Sequence, residues 1–242
     1  MSDAKERDSA AGHAGTAPAM HDLADEARCE VTNVCRRLAA EGLVVGTAGN
    51  VSVRIGDVVA VTASGARFEE MSAERVTIVD LAGHVAAGAF LPTSELPLHL
   101  GIYTALDARA VVHTHSPMAT AVGSVMDELP CVHYQMLQFG GNVRVAPYAT
   151  FGSRELADGV VSCLRDRSAA LMANHGAVTC AGSLAKAVDL TLLLEWSCEL
   201  YWRAASLGVP RILDAAAQAD VVAAAKARRY GSLRPVRAQD ER

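Results

Sequence analysis

Two histidines stand two positions apart in "VVHTHSP", Val111 to Pro117, at the end of an apolar run that a proline closes. Side chains alternate faces along an extended chain, so His113 and His115 point the same way, about 6.5 Å apart along the strand. Two imidazoles on one face can converge on a divalent cation, but a catalytic site of this kind needs a third protein ligand. Among the other histidines, His13 and His21 fall in or beside a polar N-terminal segment and His84 sits next to Gly83 in a turn, which reads as solvent exposure for all three. His99 follows Glu95 by one helical turn but lies in an apolar helix face, the setting of a core histidine. His133 and His175 remain. His175 ends an apolar strand and precedes Gly176, whose missing side chain leaves room for a ligand or another backbone; the chemistry favours His175, while spacing alone leaves both open.

Glu95 is the natural carboxylate partner, because it opens a helix directly upstream of the paired histidines and can swing between metal and substrate. Its plainer role is that of a first-turn glutamate stabilised by the helix dipole. A zinc ion held by three histidines with one displaceable position is catalytic in type and can polarise a carbonyl or hydroxyl. Three small-residue turns add a second chemistry: "GTAGN" (Gly46 to Asn50), "ASG" (Ala63 to Gly65) and "TSE" (Thr93 to Glu95). Hydroxyls and free backbone N–H groups in such turns make anion-binding nests without a lysine.

The elements that must position these residues follow from hydrophobic period. "HDLADEARCEVTNVCRRLAAEGL" has helical spacing with Gly42 as its stop, and "VVGTAGNVSVRIGDVVAVTASGARFEEM" is rich in β-branched residues and hairpin turns. "RVTIVDLAGHVAAG" repeats strand, turn and strand. A helix opens at "TSELPLHLGIYTAL" with Thr93 or Ser94 as cap, and "ARAVVHTHSP" is the strand after it. "ATAVGSVM" reads as helix, "CVHYQML" and "NVRVAPY" as extended, and "SRELADGVVSCLRDR" as a helix capped by Ser153. "AALMANHGAVTCAG" holds two short strands; Ser183 to Leu207 and about Asp214 to Arg229 read as helices. Hairpin-connected strands interleaved with helices predict an α/β fold, a single three-layer α/β/α domain around a central, mainly antiparallel sheet.

At 242 residues, 51% hydrophobic and 20% charged, the chain suits one globular domain over 21–242 behind a disordered N-terminal tail over 1–20. A formal charge of −5 and the absence of a long Lys/Arg block give no reason to expect nucleic acid. No apolar run reaches the roughly 18 residues of a membrane span. The six scattered cysteines read as reduced core residues, so a soluble cytoplasmic protein acting on small molecules is expected.

Taken in order, "GTAGNVSVR", "TASGARFEEM", "SELPLHLGIYTALDARAVVHTHSP", "HYQMLQFGGNVRVAPYATFGSREL" and "NHGAVTCAG" closely resemble the metal-dependent class II aldolases of the L-fuculose-1-phosphate aldolase type. The resemblance covers about Asp22 to Gly231 and implies the class II aldolase/adducin-like fold. It implies one Zn2+ per subunit on His113, His115 and His175, with Glu95 as resting fourth ligand and acid/base, and so selects His175 over His133. It also implies a substrate phosphate held by Gly49, Asn50, Ser64, Gly65, Thr93 and Ser94. Tyr134 matches a tyrosine that reaches the neighbouring subunit's site to handle the aldehyde oxygen proton; Tyr230 matches one in a closing C-terminal tail. The expected partners are a small phosphorylated sugar and three further copies of the chain in a homotetramer, with active sites at subunit interfaces.

The implied reaction is cleavage of a ketose 1-phosphate to dihydroxyacetone phosphate and an aldehyde. A Schiff-base route is disfavoured, since Lys5, Lys186 and Lys226 each sit in tail, helix-start or charged contexts rather than in an apolar pocket. The same superfamily holds 4-epimerases, sugar-phosphate dehydratases and decarboxylases; Glu95 within "TSE" favours aldolases over epimerases, which usually carry "SSD". An adducin-like binding module that has lost the metal site is disfavoured by the intact histidines. Thr93 and Ser64 depart from the more usual Ser and Thr, and both keep the hydroxyl.

Overall fold

The computed structural model of the chain describes residues 16–231. Its backbone runs α1 (Thr16–Ala40), β1 (Asn50–Ile55), β2 (Val58–Thr62), β3 (Val76–Asp80), β4 (Val85–Ala87), α2 (Leu96–Ala105), β5 (Ala110–Thr114), α3 (Pro117–Gly123) and β6 (Glu128–Leu129). It continues through β7 (Val143–Ala146), α4 (Arg154–Leu164), β8 (Ala169–Met172), β9 (Gly176–Ala181), α5 (Leu184–Leu207) and α6 (Ala215–Arg228). Of the segment expected as a disordered tail, residues 1–15 lie outside the described residues, and 16–20 already belong to α1.

The strands form one open sheet in the order β4-β3-β2-β1-β5-β9-β8-β7-β6. Every neighbouring pair is antiparallel except β7 with β8. The mainly antiparallel sheet expected from the sequence is therefore present, and its hairpins are short. β1 turns into β2 through Gly56 and Asp57, where Gly56 takes the positive φ of 59° that such a tight turn needs.

The period-two alternation along the strands sorts two helical layers. On β5, Ala110 and Val112 bury with Val31, Leu38 and Val188 of α1 and α5, whereas Val111 buries with Leu98, Ile102 and Val160 of α2 and α4. A third cluster joins Ala119 and Val122 of α3 to Leu190 and Leu194 of α5 and to Leu171 of β8. Helices on both faces of one sheet make the three-layer α/β/α domain. His113 has the parity of Val111, so its ring is committed to the α2 side before any contact is considered.

Three expected elements come out differently. "CVHYQML" is not extended: Tyr134–Phe139 is a 3-10 helix, in which Met136 and Phe139, three apart, bury on one side. The His133 ring accepts from the Gln135 N–H at its start, and Gly140 in the left-handed region stops it. Helix α2 begins after Glu95, which takes the N-cap position without a capping bond, and neither Thr93 nor Ser94 caps the helix. The Thr93 Oγ1 instead accepts from the Glu95 N–H at 3.2 Å, a turn that fixes where Glu95 leaves the backbone. Finally, five cysteines are buried, but Cys29 is exposed on α1; none is disulfide-bonded.

Candidate metal centre and active-site cavity

His113 lies on β5 with its ring fully buried; His115 is just beyond the strand end. Pro117 does more than end the strand. It is the first residue of α3, where its missing N–H is no loss, and the Glu195 carboxylate from α5 accepts from the next two N–H groups, Met118 (2.8 Å) and Ala119 (2.9 Å). The histidine pair is thus clamped between a sheet and a carboxylate-capped helix.

His175 arrives from the β8–β9 hairpin, whose turn places Asn174 in the left-handed region at φ 54°. Gly176 follows, and a Cβ there would be driven into the Thr114 carbonyl oxygen and within 3.2 Å of His115 and 3.3 Å of His113 ring carbons. Of the two uses for the space beside Gly176, close approach of another backbone is the one realised. The three rings meet almost as an equilateral triangle, with centroids 4.9, 5.0 and 4.9 Å apart. Glu95 enters from α2, its Oε2 3.1 Å from His113 Nε2 and its Oε1 3.4 Å from His175 Nε2.

The donor set fits a divalent cation. His113 donates its Nδ1–H to the Ala177 carbonyl at 2.9 Å, which turns Nε2 into the cluster, 3.1 Å from His115 Nε2. Such a backbone bond to the second nitrogen is how metal-ligating imidazoles are oriented. Glu95 Oε1 is buried without a hydrogen-bond partner among the described residues, and one ligand atom from each of Glu95, His113, His115 and His175 lies within 4.8 Å of the others. Lone pairs facing one another at this separation repel unless a shared proton or a cation sits among them, and the donor types suit a divalent cation.

Electrostatics point the same way. Burial works against ionisation of Glu95, but the His113 hydrogen bond and charge, the Asn50 amide and His175 outweigh it and hold the carboxyl far below the usual carboxylate range. Burial, followed by the His113 and His175 charges, lowers His115 to about 4, and burial then His113 likewise lower His175. An ionised Glu95 with His115 and His175 biased toward the neutral imidazole is in the direction that metal binding requires.

The cluster forms the floor of a cavity of about 490 Å³ lined by Gly49, Ser94, Glu95, His115, Asn174 and His175, with Tyr148 and Phe151 at an aromatic rim. Both rim rings are about two-thirds exposed. Asn174, Tyr148 and Phe151 join the expected residues here; the signal for the first is its place in "NHG", a short polar tip between two strands. Gly152, next to Phe151, takes φ 74°, and a Cβ there would collide with the Ser94 carbonyl oxygen, so the rim loop rests directly on the Ser94 turn.

The other expected site residues divide. Gly49 and Ser94 line the cavity, while Asn50 and Thr93 are buried beneath it. Ser64 and Gly65 open onto a second pocket of about 350 Å³, tied to the Ser94 turn by the Ser64 N–H to the Leu91 carbonyl and the Thr93 N–H to the Thr62 carbonyl. Tyr134 does not line the cavity of its own chain; its hydroxyl meets that of Tyr230 at 3.0 Å. His133 caps the 3-10 helix, away from the triad, with its ring against Trp196. His99 is a fully buried histidine bonded at both nitrogens, as a core histidine should be. His84 and His21 are exposed beside Asp80 and Asp25, and His13 lies outside the described residues. Lys186 and Lys226 are both exposed, so neither offers a desolvated amine. No helix among the described residues is long and apolar enough to cross a membrane.

The structure is a three-layer domain whose mainly antiparallel sheet brings three imidazoles to a carboxylate at the start of α2 beside a cleft, a donor set that could hold a divalent metal ion. Residues 29–202 match the family described as Class II Aldolase and Adducin N-terminal domain, and the chain belongs to the class II aldolases. It is 38% identical over 194 residues to the 5-deoxy-D-ribulose 1-phosphate aldolase of Bacillus thuringiensis serovar kurstaki, covering 79% of this chain and 91% of that one. The L-fuculose phosphate aldolase of Escherichia coli K12 is 38% identical over 174 residues, covering 71% and 80%. A solved structure of an L-fuculose 1-phosphate aldolase superposes with a TM-score of 0.80 at 32% identity, covering 83% of this chain and 96% of that one.

Proposed function

We propose that the chain is a zinc-dependent aldolase that cleaves a ketose 1-phosphate between C3 and C4, releasing dihydroxyacetone phosphate and an aldehyde. The observation that carries this reading is the convergence of the Glu95 carboxylate, His115 and His175, which line a substrate-sized cavity, with the buried His113 behind them. A divalent ion bound by the three histidines supplies Lewis-acid polarisation of the substrate carbonyl.

The chain's own residues do the rest. The turns at Gly49 and Asn50, Ser64 and Gly65, and Thr93 and Ser94 hold the phosphate through hydroxyls and through the N–H groups not already given to the Leu91 and Thr62 carbonyls. Tyr134, contributed by a neighbouring subunit of a homotetramer, relays the C4 hydroxyl proton, accepting it while its own phenol proton passes to solvent water, as the C3–C4 bond breaks and the aldehyde forms. The electron pair of that bond passes into the enediolate of the three-carbon fragment. Glu95, whose Oε1 faces the cluster without a hydrogen bond, takes up a proton from solvent water and delivers it to C3. Tyr230, already against Tyr134, closes over the site. The apolar rim of Val45, Ala48, Tyr148 and Phe151 suits an aldehyde half with a deoxygenated end. The enzyme works in the cytoplasm.

A panel of ketose 1-phosphates that includes 5-deoxy-D-ribulose and L-fuculose 1-phosphates, coupled to a reductase that oxidises NADH on dihydroxyacetone phosphate, tests the reading with and without chelator. Chelator-sensitive formation of the triose phosphate is expected. Water elimination, carbon dioxide release or a C4 epimer without triose phosphate would replace it by a dehydratase, decarboxylase or epimerase assignment.

A further inference from the structure

Between α2 and β1 a row of buried polar side chains runs from Tyr103 to Glu95. Tyr103 Oη lies 2.7 Å from Ser52 Oγ, which lies 2.6 Å from His99 Nδ1. His99 Nε2 is 2.5 Å from Asn50 Oδ1, and Asn50 Nδ2 is 3.0 Å from Glu95 Oε2. All five residues are buried, Ser52 and His99 completely.

The row exists because two periods match. A helix advances about 6 Å in four residues, and a strand advances about 6.8 Å in two. Glu95, His99 and Tyr103, four apart at the start of and along α2, therefore interleave with Asn50 and Ser52, two apart on β1, when the two elements lie side by side.

The row also has a direction. Asn50 turns its amide N–H to the carboxylate, which leaves its carbonyl facing His99 and in need of a donor. The proton of His99 must then sit on Nε2, and Nδ1 accepts from the Ser52 hydroxyl, which in turn accepts from Tyr103. All four donors point toward Glu95. The amide of an asparagine can turn over with little change in shape, and here that would press a carbonyl lone pair against the carboxylate. The row opposes the turn, because an inverted amide would donate to His99 Nε2, drive the ring proton to Nδ1 and reverse the Ser52 and Tyr103 hydroxyls, so that Tyr103 loses its Ser52 acceptor while the carboxylate loses its donor.

We propose that His99 is a positioning residue: with Ser52 and Tyr103 behind it, it locks the Asn50 amide so that Glu95 Oε2 is tethered and Oε1 is the oxygen offered to the metal and the substrate. His99 reaches neither the cavity nor the histidine triad and acts through Asn50. Only its kinetic consequence rests on the aldolase reading; the order of donors in the row does not.

The test begins with the full-length wild-type protein, 15N-labelled at histidine, with His99 assigned by comparison with His99→Gln. Long-range 1H–15N spectra are expected to show a neutral ring protonated at Nε2. A ring protonated at Nδ1 would overturn the proposal, because it requires the opposite Asn50 orientation. His99→Gln retains an N–H for Asn50, whereas His99→Leu does not. The leucine variant should lose about 10–100-fold in kcat and in affinity for zinc measured by chelator competition, as is usual for a lost outer-shell partner, with KM changing least. The glutamine variant should recover most of both, and equal behaviour of the two variants would sink the positioning role. If the leucine variant does not fold, the tautomer alone decides. If no sugar phosphate is turned over but the tautomer and the zinc affinities follow this pattern, the aldolase reading fails and the positioning role stands.

Discussion

Gly176→Ala is the most informative single perturbation, because one added methyl group meets three parts of the centre at once. Its carbon would press into the Thr114 carbonyl oxygen and come within 3.2 Å of His115 Cδ2 and 3.3 Å of His113 Cε1. Relaxed C···O contacts between strands settle at about 3.3–3.6 Å, so β5 and β9 would have to part by about 1 Å at this point. They are not free to do so: Thr114 pairs with Ala177 and His113 with Val178, and the His113 ring itself donates to the Ala177 carbonyl. Overpacking of this kind costs about 1–3 kcal/mol. For a domain of this size each kcal/mol lowers the melting temperature by roughly 2–4 °C, so a fall of about 2–12 °C is expected in a thermal melt of the metal-free protein. Metal affinity should fall as well, because the displaced strand carries two of the three imidazoles; chelator competition measures that separately from stability. A variant that melts like the wild type and keeps its affinity for zinc would refute the claim that the absent side chain is what lets the hairpin dock against β5.

Replacing Glu95 by Gln removes the charge and the proton carrier while preserving shape, and turnover should drop by about 10²–10⁴-fold; full activity with metal bound would rule out the acid/base role. Because burial, then the His113 charge, depresses His99 from 6.5 to about 3, the folded protein binds fewer protons than the unfolded chain between those pH values. Its stability contribution is therefore complete above pH 6.5 and lost as pH falls toward 3, which urea midpoints of the metal-free protein should reveal, with a flatter profile for His99→Gln. Equal slopes for the two proteins would contradict this. Mixing subunits inactivated by Tyr134→Phe with subunits inactivated by Glu95→Gln should restore part of the activity if Tyr134 serves a neighbouring site; no recovery after subunit exchange would place it in its own chain's chemistry.

Much of this centre was legible in the order of residues. Strand parity put His113 and His115 on one side, the glycine after His175 marked a close approach, and the apolar setting of His99 marked it as a buried histidine. The helices of residues 184–207 and 215–228 begin after the capping residues Ser183 and Asp214, because a side-chain oxygen there accepts a first-turn N–H whatever the rest of the fold does. Short-range chemistry of this kind is written locally. The 3-10 turn at Tyr134–Phe139 is not legible in its sequence, because an apolar spacing of three over six residues is too short to stand out and its stop depends on Gly140 backing onto Asp166 and Arg167, residues more than twenty positions away.

What the sequence by itself determined is therefore the candidate donors and the shared face of His113 and His115. What only the tertiary structure decided is their meeting: that β1 pairs with β5 so that Asn50 stands opposite His113, that α2 lies along β1 so that its four-residue steps fall between the two-residue steps of the strand, and that the 147–153 loop rests on the Ser94 turn. Those facts depend on the register between elements distant in sequence, which is set by the packing of both sheet faces at once and is not contained in the period of either element alone.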